Sequence, residues 1–222
     1  MLAITRAGER LVAVGERGIV LLSDDDGKAW RQARVPVSVT LTGVHFPTPG
    51  KGWVVGHGGV VLHSADAGET WIKQLDGIQA AILISEFARG KARTEERASA
   101  RAILADAERL VSEGPDKPFL DVYFFNERRG LVVGAFGLAF TTDDGGHRWN
   151  PWLSNIPNPG GKHLYRIHPR TDELWIVGEQ GALFRSRDGG ESFVEERIPY
   201  VGSLFRHDFR HEMQPACLWS SG

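Results

Sequence analysis

One pattern, Ser/Thr-x-Asp-x-Gly-x-x-Trp/Phe, occurs four times and makes the chain an array of like units. The copies are Ser23, Asp25, Gly27 and Trp30; Ser64, Asp66, Gly68 and Trp71; Thr142, Asp144, Gly146 and Trp149; and Ser186, Asp188, Gly190 and Phe193. They begin at residues 23, 64, 142 and 186, so the steps are 41, 78 and 44 residues. A four-stranded propeller blade takes roughly 40–50 residues. The middle step is therefore one blade plus an insertion.

The repeat extends beyond this box. Ahead of each copy stands Val-Gly-x-x-Gly, at Val14, Val55, Val133 and Val177. Short apolar stretches flank it, at 11–14 and 19–22 in the first unit and at matching places in the others. An earlier stretch and the closing aromatic give four strand candidates per unit, joined by glycine turns. In the box itself, the Asp side chain suits acceptance of backbone N–H bonds from its own turn. The Gly supplies a positive φ, the Ser or Thr a weaker side-chain bond, and the aromatic a ring to bury. The sixteen box residues are thus read as structural and not catalytic.

With these residues the chain resembles the Asp-box, or bacterial neuraminidase repeat, propellers. The longer unit is similar to the photosystem II stability/assembly factor family of cyanobacteria and chloroplasts, over about residues 1–76 and 117–202. The resemblance implies a seven-bladed all-β propeller, of which about four blades are expected here: blades 1 and 2 at 1–76, and blades 3 and 4 at 118–202. The start of a fifth is expected at 202–206. Seven blades would need roughly 300 residues, so a truncated copy of a longer protein is expected, with an atypical tail at 203–222. The resemblance also implies a non-catalytic interaction scaffold that assists assembly of a membrane-protein complex. The competing reading is a carbohydrate-active propeller, a sialidase-like hydrolase or a glycan binder. A periplasmic or lumenal place follows from the resemblance if a leader precedes this chain, and a cytoplasmic one if the chain is complete.

Composition narrows the alternatives. Net charge is −2 over 222 residues, which gives no electrostatic footprint for nucleic acid. A single cysteine, Cys217, excludes an intramolecular disulfide. No apolar run approaches the roughly 18 residues of a membrane span. No cofactor and no metal is expected: His207 and His211 are four apart but lack the glutamate of a His-Glu-x-x-His motif. Arg197-Ile198-Pro199 is like a sialidase motif, yet Arg34-Val35-Pro36 stands at the same place in the first unit, which makes it a feature of the blade. The three tyrosines, Tyr123, Tyr165 and Tyr200, give no arguable Tyr–Glu nucleophile pair.

The insertion, residues 77–117, carries apolar residues at helical spacing. Two helices are expected, divided at Gly90, the second capped by Thr94 and closed by Gly114-Pro115. Antiparallel strand order puts the 2–3 turns and the 4–1 connections on one face and the boxes on the other. The turn residues differ between units while their glycines recur. Arg17, His57, Phe136 and Gln180 are therefore the expected partner-facing residues.

Overall fold

The computed structural model describes residues 1–94 and 116–204. Among these residues the strands form four separate four-stranded antiparallel sheets, each in simple sequence order. Blade 1 holds β1 (Ala3–Ala7), β2 (Arg10–Val14), β3 (Val20–Ser23) and β4 (Arg31–Gln32). Blade 2 holds β5 (Leu41–His45), β6 (Gly52–Gly56), β7 (Val60–Ser64) and β8 (Ile72–Leu75), followed by helix α1 (Gly77–Thr94). Blade 3 holds β9 (Phe119–Phe124), β10 (Gly130–Gly134), β11 (Ala139–Thr142) and β12 (Asn150–Pro151). Blade 4 holds β13 (Leu164–Arg170), β14 (Glu173–Gly178), β15 (Leu183–Ser186) and β16 (Val194–Glu195).

The central strands explain why the blades stack. Side chains alternate across a strand, and here both faces are apolar. In β6, Val54 points toward blade 1 while Trp53 and Val55 point toward blade 3, and all three are fully buried. Three cores result, one at each junction between blades. Three of the four box aromatics join the core shared with the preceding blade: Trp71 with blade 1, Trp149 with blade 2 and Phe193 with blade 3. Between blades 2 and 3, Trp53 stacks on Phe124 with ring centroids 3.6 Å apart, and its Nε1–H donates to Gln74 Oε1 at 3.0 Å.

Helix α1 starts at an Asp76 cap that the sequence reading did not identify. The Gln79 N–H donates to Asp76 Oδ1 at 3.1 Å, which satisfies one orphan donor of the first turn. Ala80, Ile84 and Ala88, spaced by four, bury one stripe in the core between blades 2 and 3. The expected break at Gly90 does not occur, and the helix continues to Thr94, the expected cap of a second helix. A helical glycine costs only about 1 kcal/mol relative to alanine, and burial of the Ala80–Ile84–Ala88 stripe offsets it. The expected second helix and the close at Gly114-Pro115 lie outside the described residues, as does most of the tail. Gly202 and Leu204, after blade 4, repeat contacts made by Val39 and Leu41 after blade 1. The Gly181 N–H donates to Gly202 O as Gly18 does to Val39 O, and Leu204 N–H donates to Gly178 O as Leu41 does to Gly15 O.

The first strands of neighbouring blades contact one another, β1 with β5, β5 with β9 and β9 with β13, so they form the inner edge. An inner edge leaves backbone groups unpaired, and side chains of the preceding blade satisfy several of them. Thr42 Oγ1 donates to Phe119 O at 2.7 Å, His45 Nδ1 accepts the Phe124 N–H at 3.1 Å, and Asp121 Oδ2 accepts the Ile167 N–H at 2.8 Å. Burial pushes the Asp121 pKa up to about 6, against the Ile167 N–H and the Arg166 guanidinium, and pushes the His45 pKa down to about 4. Between pH 6.5 and 4, His45 is charged in the unfolded chain and neutral in the fold. Its contribution to stability is therefore complete above pH 6.5 and is lost as the pH falls toward 4. The loss amounts to about 3 kcal/mol. In the unfolding free energy measured across that range, the parent should lose about this much relative to His45→Gln. Parallel pH profiles for the two proteins would refute the assignment.

Candidate functional site

Hydrogen bonds define the two faces of the array. On one face the 2–3 turns touch the 4–1 connections, as in Gly18 N–H to Val39 O at 2.7 Å. On the other the 1–2 turns touch the boxes, as in Ala67 N–H to Gly50 O and Gly145 N–H to Arg128 O, both at 2.8 Å.

Each 2–3 turn closes with a short bond from the first repeat glycine, such as Gly134 N–H to Leu138 O at 2.8 Å. The residue at its apex takes a left-handed conformation: Arg17 at φ 55°, Gly58 at φ 70°, Phe136 at φ 56° and Gln180 at φ 50°. A glycine accepts this geometry freely, as Gly58 does, whereas a side chain there costs about 1 kcal/mol. Three of the four apices thus hold a side chain at the expense of stability. The box turns show the same with Asp26 and Ala67. His57 does not share the apex register. It stands one place earlier, where the other turns carry Glu16, Ala135 and Glu179.

Around Phe136 the structure gathers residues that the sequence reading passed over. The Phe136 ring is 43 % exposed and edge-on to His163, with centroids 4.7 Å apart; the Lys117 Nζ lies 5.1 Å from it. The Phe136 N–H donates to His163 Nδ1 at 3.1 Å, so a neutral His163 ring carries its hydrogen on Nε2, 3.7 Å from Glu179 Oε1. The His163 N–H donates to the same carboxylate at 2.7 Å, and Lys162 Nζ reaches Gln180 O at 3.5 Å. Phe136 and Gln180 therefore belong to one ledge across blades 3 and 4, while Arg17 and His57 project from blades 1 and 2 of the same face. The repeat pattern gives no signal for His163, because the equivalent places hold Thr40 and Pro118.

The opposite face is built by the boxes, through a relay of hydrogen bonds. In blade 2 the Gly68 N–H donates to Ser64 Oγ at 2.8 Å, Ser64 Oγ–H donates to Asp66 Oδ1 at 2.8 Å, and the Thr70 N–H donates to the same oxygen at 2.9 Å. The other three boxes repeat it, centred on Ser23, Thr142 and Ser186, all buried. The hydroxyl is thus the hub of the turn and not a minor addition. The Ala29 N–H and the Ser23 hydroxyl hold the Asp25 carboxyl below its usual range. The Ser186 and Ser192 hydroxyls hold Asp188 down further. In blades 1 and 2 the indole N–H of Trp30 and Trp71 donates to Gly27 O and Gly68 O. In blade 3 the Gln74 amide of the neighbouring blade lies against Gly146, and Trp149 Nε1 finds no acceptor among the described residues.

Two open grooves accompany these faces. One of about 420 Å³ runs between α1 and blade 3, lined by Leu75, Ile82, Leu83 and Trp149. The other, about 380 Å³, lies on the box face beside Tyr123, Phe125, Glu173 and Arg187. Among the described residues no group of three His, Cys, Asp or Glu side chains could hold a metal ion. No described helix is long and apolar enough to cross a membrane. His207 and His211 lie outside the described residues. In the Arg-x-Pro segment of blade 1, Arg34 makes a backbone bridge to Thr70 of the next blade.

Comparison with known proteins agrees with this architecture. The family described as "Photosynthesis system II assembly factor YCF48" matches residues 6–79 and 106–202. The photosystem II assembly lipoprotein Ycf48 of Synechococcus sp. (strain CC9902) is 34% identical over 84 residues, which are 36% of this chain and 25% of that protein. The chloroplastic photosystem II stability/assembly factor HCF136 of Arabidopsis thaliana is 23% identical over 219 residues, covering 84% of this chain and 53% of that protein. The chain thus spans from a quarter to about half the length of these curated relatives. Among solved structures, the β-propeller domain of Myceliophteria thermophila Cps50 (Swd1) superposes with a TM-score of 0.58 at 12% identity, over 92% of this chain and 56% of that one. An ancestral GH74 enzyme gives 0.55 at 11% identity, over 90% of this chain and 24% of that one. At these identities the likeness is one of fold alone.

Proposed function

The chain belongs to the photosynthesis system II assembly factor YCF48 family, and from that premise we propose that it is a non-catalytic scaffold whose turn face binds a protein partner during assembly of a membrane-protein complex. The matched relatives are named assembly factors and not enzymes. The partner we assign is photosystem II or one of its assembly intermediates. The place of action is the periplasmic or lumenal side, in keeping with a relative named a lipoprotein and another named chloroplastic.

One observation carries the choice of face. Three of the four turn apices, Arg17, Phe136 and Gln180, hold side chains in left-handed positions that a glycine would fill without strain, against two of the four box turns, at Asp26 and Ala67. Side chains kept at such positions are candidates for recognition. They stand on turns anchored by buried strands, a rigid base for variable contacts. Blades 3 and 4 add an aromatic ring beside lysine, histidine and glutamate side chains, groups that suit a mixed polar and apolar protein surface.

The triple variant Arg17→Gly, Phe136→Gly and Gln180→Gly separates strain from recognition. Relief of three left-handed conformations should raise stability by about 1–3 kcal/mol. The same variant should lose capture of photosystem II intermediates from detergent-solubilised photosynthetic membranes, while the parent enriches them. A parent that enriches none, or a variant that enriches them equally, contradicts the reading.

A further inference from the structure

The junction between blades 3 and 4 departs from the repeat in its packing. In blades 2 and 3 a phenylalanine ring lies over a glycine at the box-face end of the first two strands. Phe46 covers Gly52 and Phe124 covers Gly130, so closely that a Cβ on either glycine would fall 2.3 or 2.5 Å from the ring. Both rings fill the core shared with the preceding blade. Each meets the box aromatic of its own blade edge-on, Phe46 with Trp71 at 5.9 Å and Phe124 with Trp149 at 6.1 Å between centroids. Blade 4 has Pro169 in place of the ring and Leu174 in place of the glycine, paired across the same two strands as Phe124 and Gly130. Leu174 and Phe125 take part of the space. They are the side chains nearest Gly190, as Phe46 and Leu22 are nearest Gly68.

Beside this pair lies the groove of about 380 Å³ on the box face. Blade 3 lines it with Tyr123 and Phe125, edge to face with centroids 5.0 Å apart. Blade 4 lines it with Pro169, Leu174 and the hairpin tip Thr171-Asp172, which is bounded by the Arg170–Glu173 pair. Of the two acids in the lining, Glu173 is taken by Arg187 at 3.2 Å and by Trp175 Nε1 at 3.0 Å. The Asp172 carboxylate makes no ion pair among the described residues.

We propose that this groove binds an aromatic side chain of a second protein, presented by a short peptide segment with a lysine or arginine next to it. The ring stands against Tyr123 and Phe125, beside the place that Phe46 and Phe124 fill from within at the other two junctions, and the base pairs with Asp172. The repeat itself shows the fit, since those junctions bury a phenylalanine ring edge-on to a neighbouring aromatic, a geometry that aromatic pairs prefer. The volume is that of a specific pocket, and a ring buried in such a pocket is the usual anchor of a protein interface. The groove lies on the face opposite the turn apices, so the proposal does not depend on the turn-face reading. A scaffold with both sites holds two proteins at once.

Selection from a phage-displayed library of short random peptides on the immobilised full chain tests this. The double variant Pro169→Phe, Leu174→Gly installs the ring and glycine of blades 2 and 3 and so fills the groove from within. Enriched peptides should carry Phe, Tyr or Trp next to Lys or Arg. Made synthetically, they should bind the parent at least about tenfold more tightly than the double variant and about threefold more tightly than Asp172→Asn. If the double variant does not melt cooperatively, Tyr123→Leu carries the comparison, with a loss of about fivefold expected. No enrichment, enriched peptides that lack the aromatic residue or the base, or equal affinity for the parent and the groove variants would overturn the proposal.

Discussion

Gly18→Ala should cost the chain about 3–5 kcal/mol, enough to unfold much of a protein of ordinary marginal stability. Two independent causes add at this residue. Its φ is +71°, where an L side chain is strained, and a Cβ would lie 2.0 Å from Val37 O of the connection to the next blade. The backbone cannot retreat cheaply, because the Gly18 N–H donates to Val39 O in the same connection. Gly134→Ala tests the second cause alone, since its Cβ would meet Pro118 O at 2.4 Å at a φ that any residue adopts. Gly50→Ala is the control, with nothing within 4 Å of the added atom, and should change stability by less than about 0.5 kcal/mol. Urea midpoints for the three variants settle the matter. If Gly18→Ala melts within 1 kcal/mol or so of the control, close backbone approach is not what the Val-Gly-x-x-Gly repeat encodes.

Thr142→Val should cost about 2–4 kcal/mol at neutral pH, although it hardly changes the shape of the side chain. The Thr142 hydroxyl is fully buried, accepts the Gly146 N–H at 2.9 Å and donates to Asp144 Oδ1 at 3.0 Å. Valine leaves a buried N–H without an acceptor and removes a donor from a carboxylate. Each of these carries the penalty of a buried group left unmade. Thr142→Ser keeps both bonds and should cost less than about 1.5 kcal/mol, the loss of one methyl. Acid adds a second reading. Burial works to raise the Asp144 pKa, but the Arg148 N–H and the Thr142 hydroxyl outweigh it and hold it below 3.8. A depressed carboxylate contributes stability above its unfolded pKa and loses it as the pH falls below. The gap between parent and Thr142→Val should therefore narrow below about pH 4. A gap that is small at pH 7, or constant into acid, would show that the hydroxyl relay does not hold the box.

Much of this architecture was readable from the repeat, because a box and a glycine pair recur at blade spacing and each part has one local job. The strand pattern, the sharing of faces by turns and boxes, and the place of the insertion all follow from that. The hub role of the box hydroxyl was not legible, since a buried Ser64 and an exposed serine look alike in sequence. Nor was the continuation of α1 through Gly90, because the burial of Ala80, Ile84 and Ala88 that offsets the glycine is a tertiary fact. The ledge around Phe136 was only half legible. The apex residue announces itself by varying beside fixed glycines, while His163 arrives from the connection into the following blade, where the equivalent places hold Thr40 and Pro118. His57 stands one place before the strained apex, because the apex of its turn is Gly58.

Amide hydrogen exchange, with the chain free and then bound to purified photosystem II intermediates, tests the central claim most directly. The reading predicts slowed exchange at the turns around Arg17, His57, Phe136 and Gln180, with the box turns around Asp25, Asp66, Asp144 and Asp188 unchanged. Protection confined to the box turns, or no difference between free and bound chain on the turn face, would contradict it.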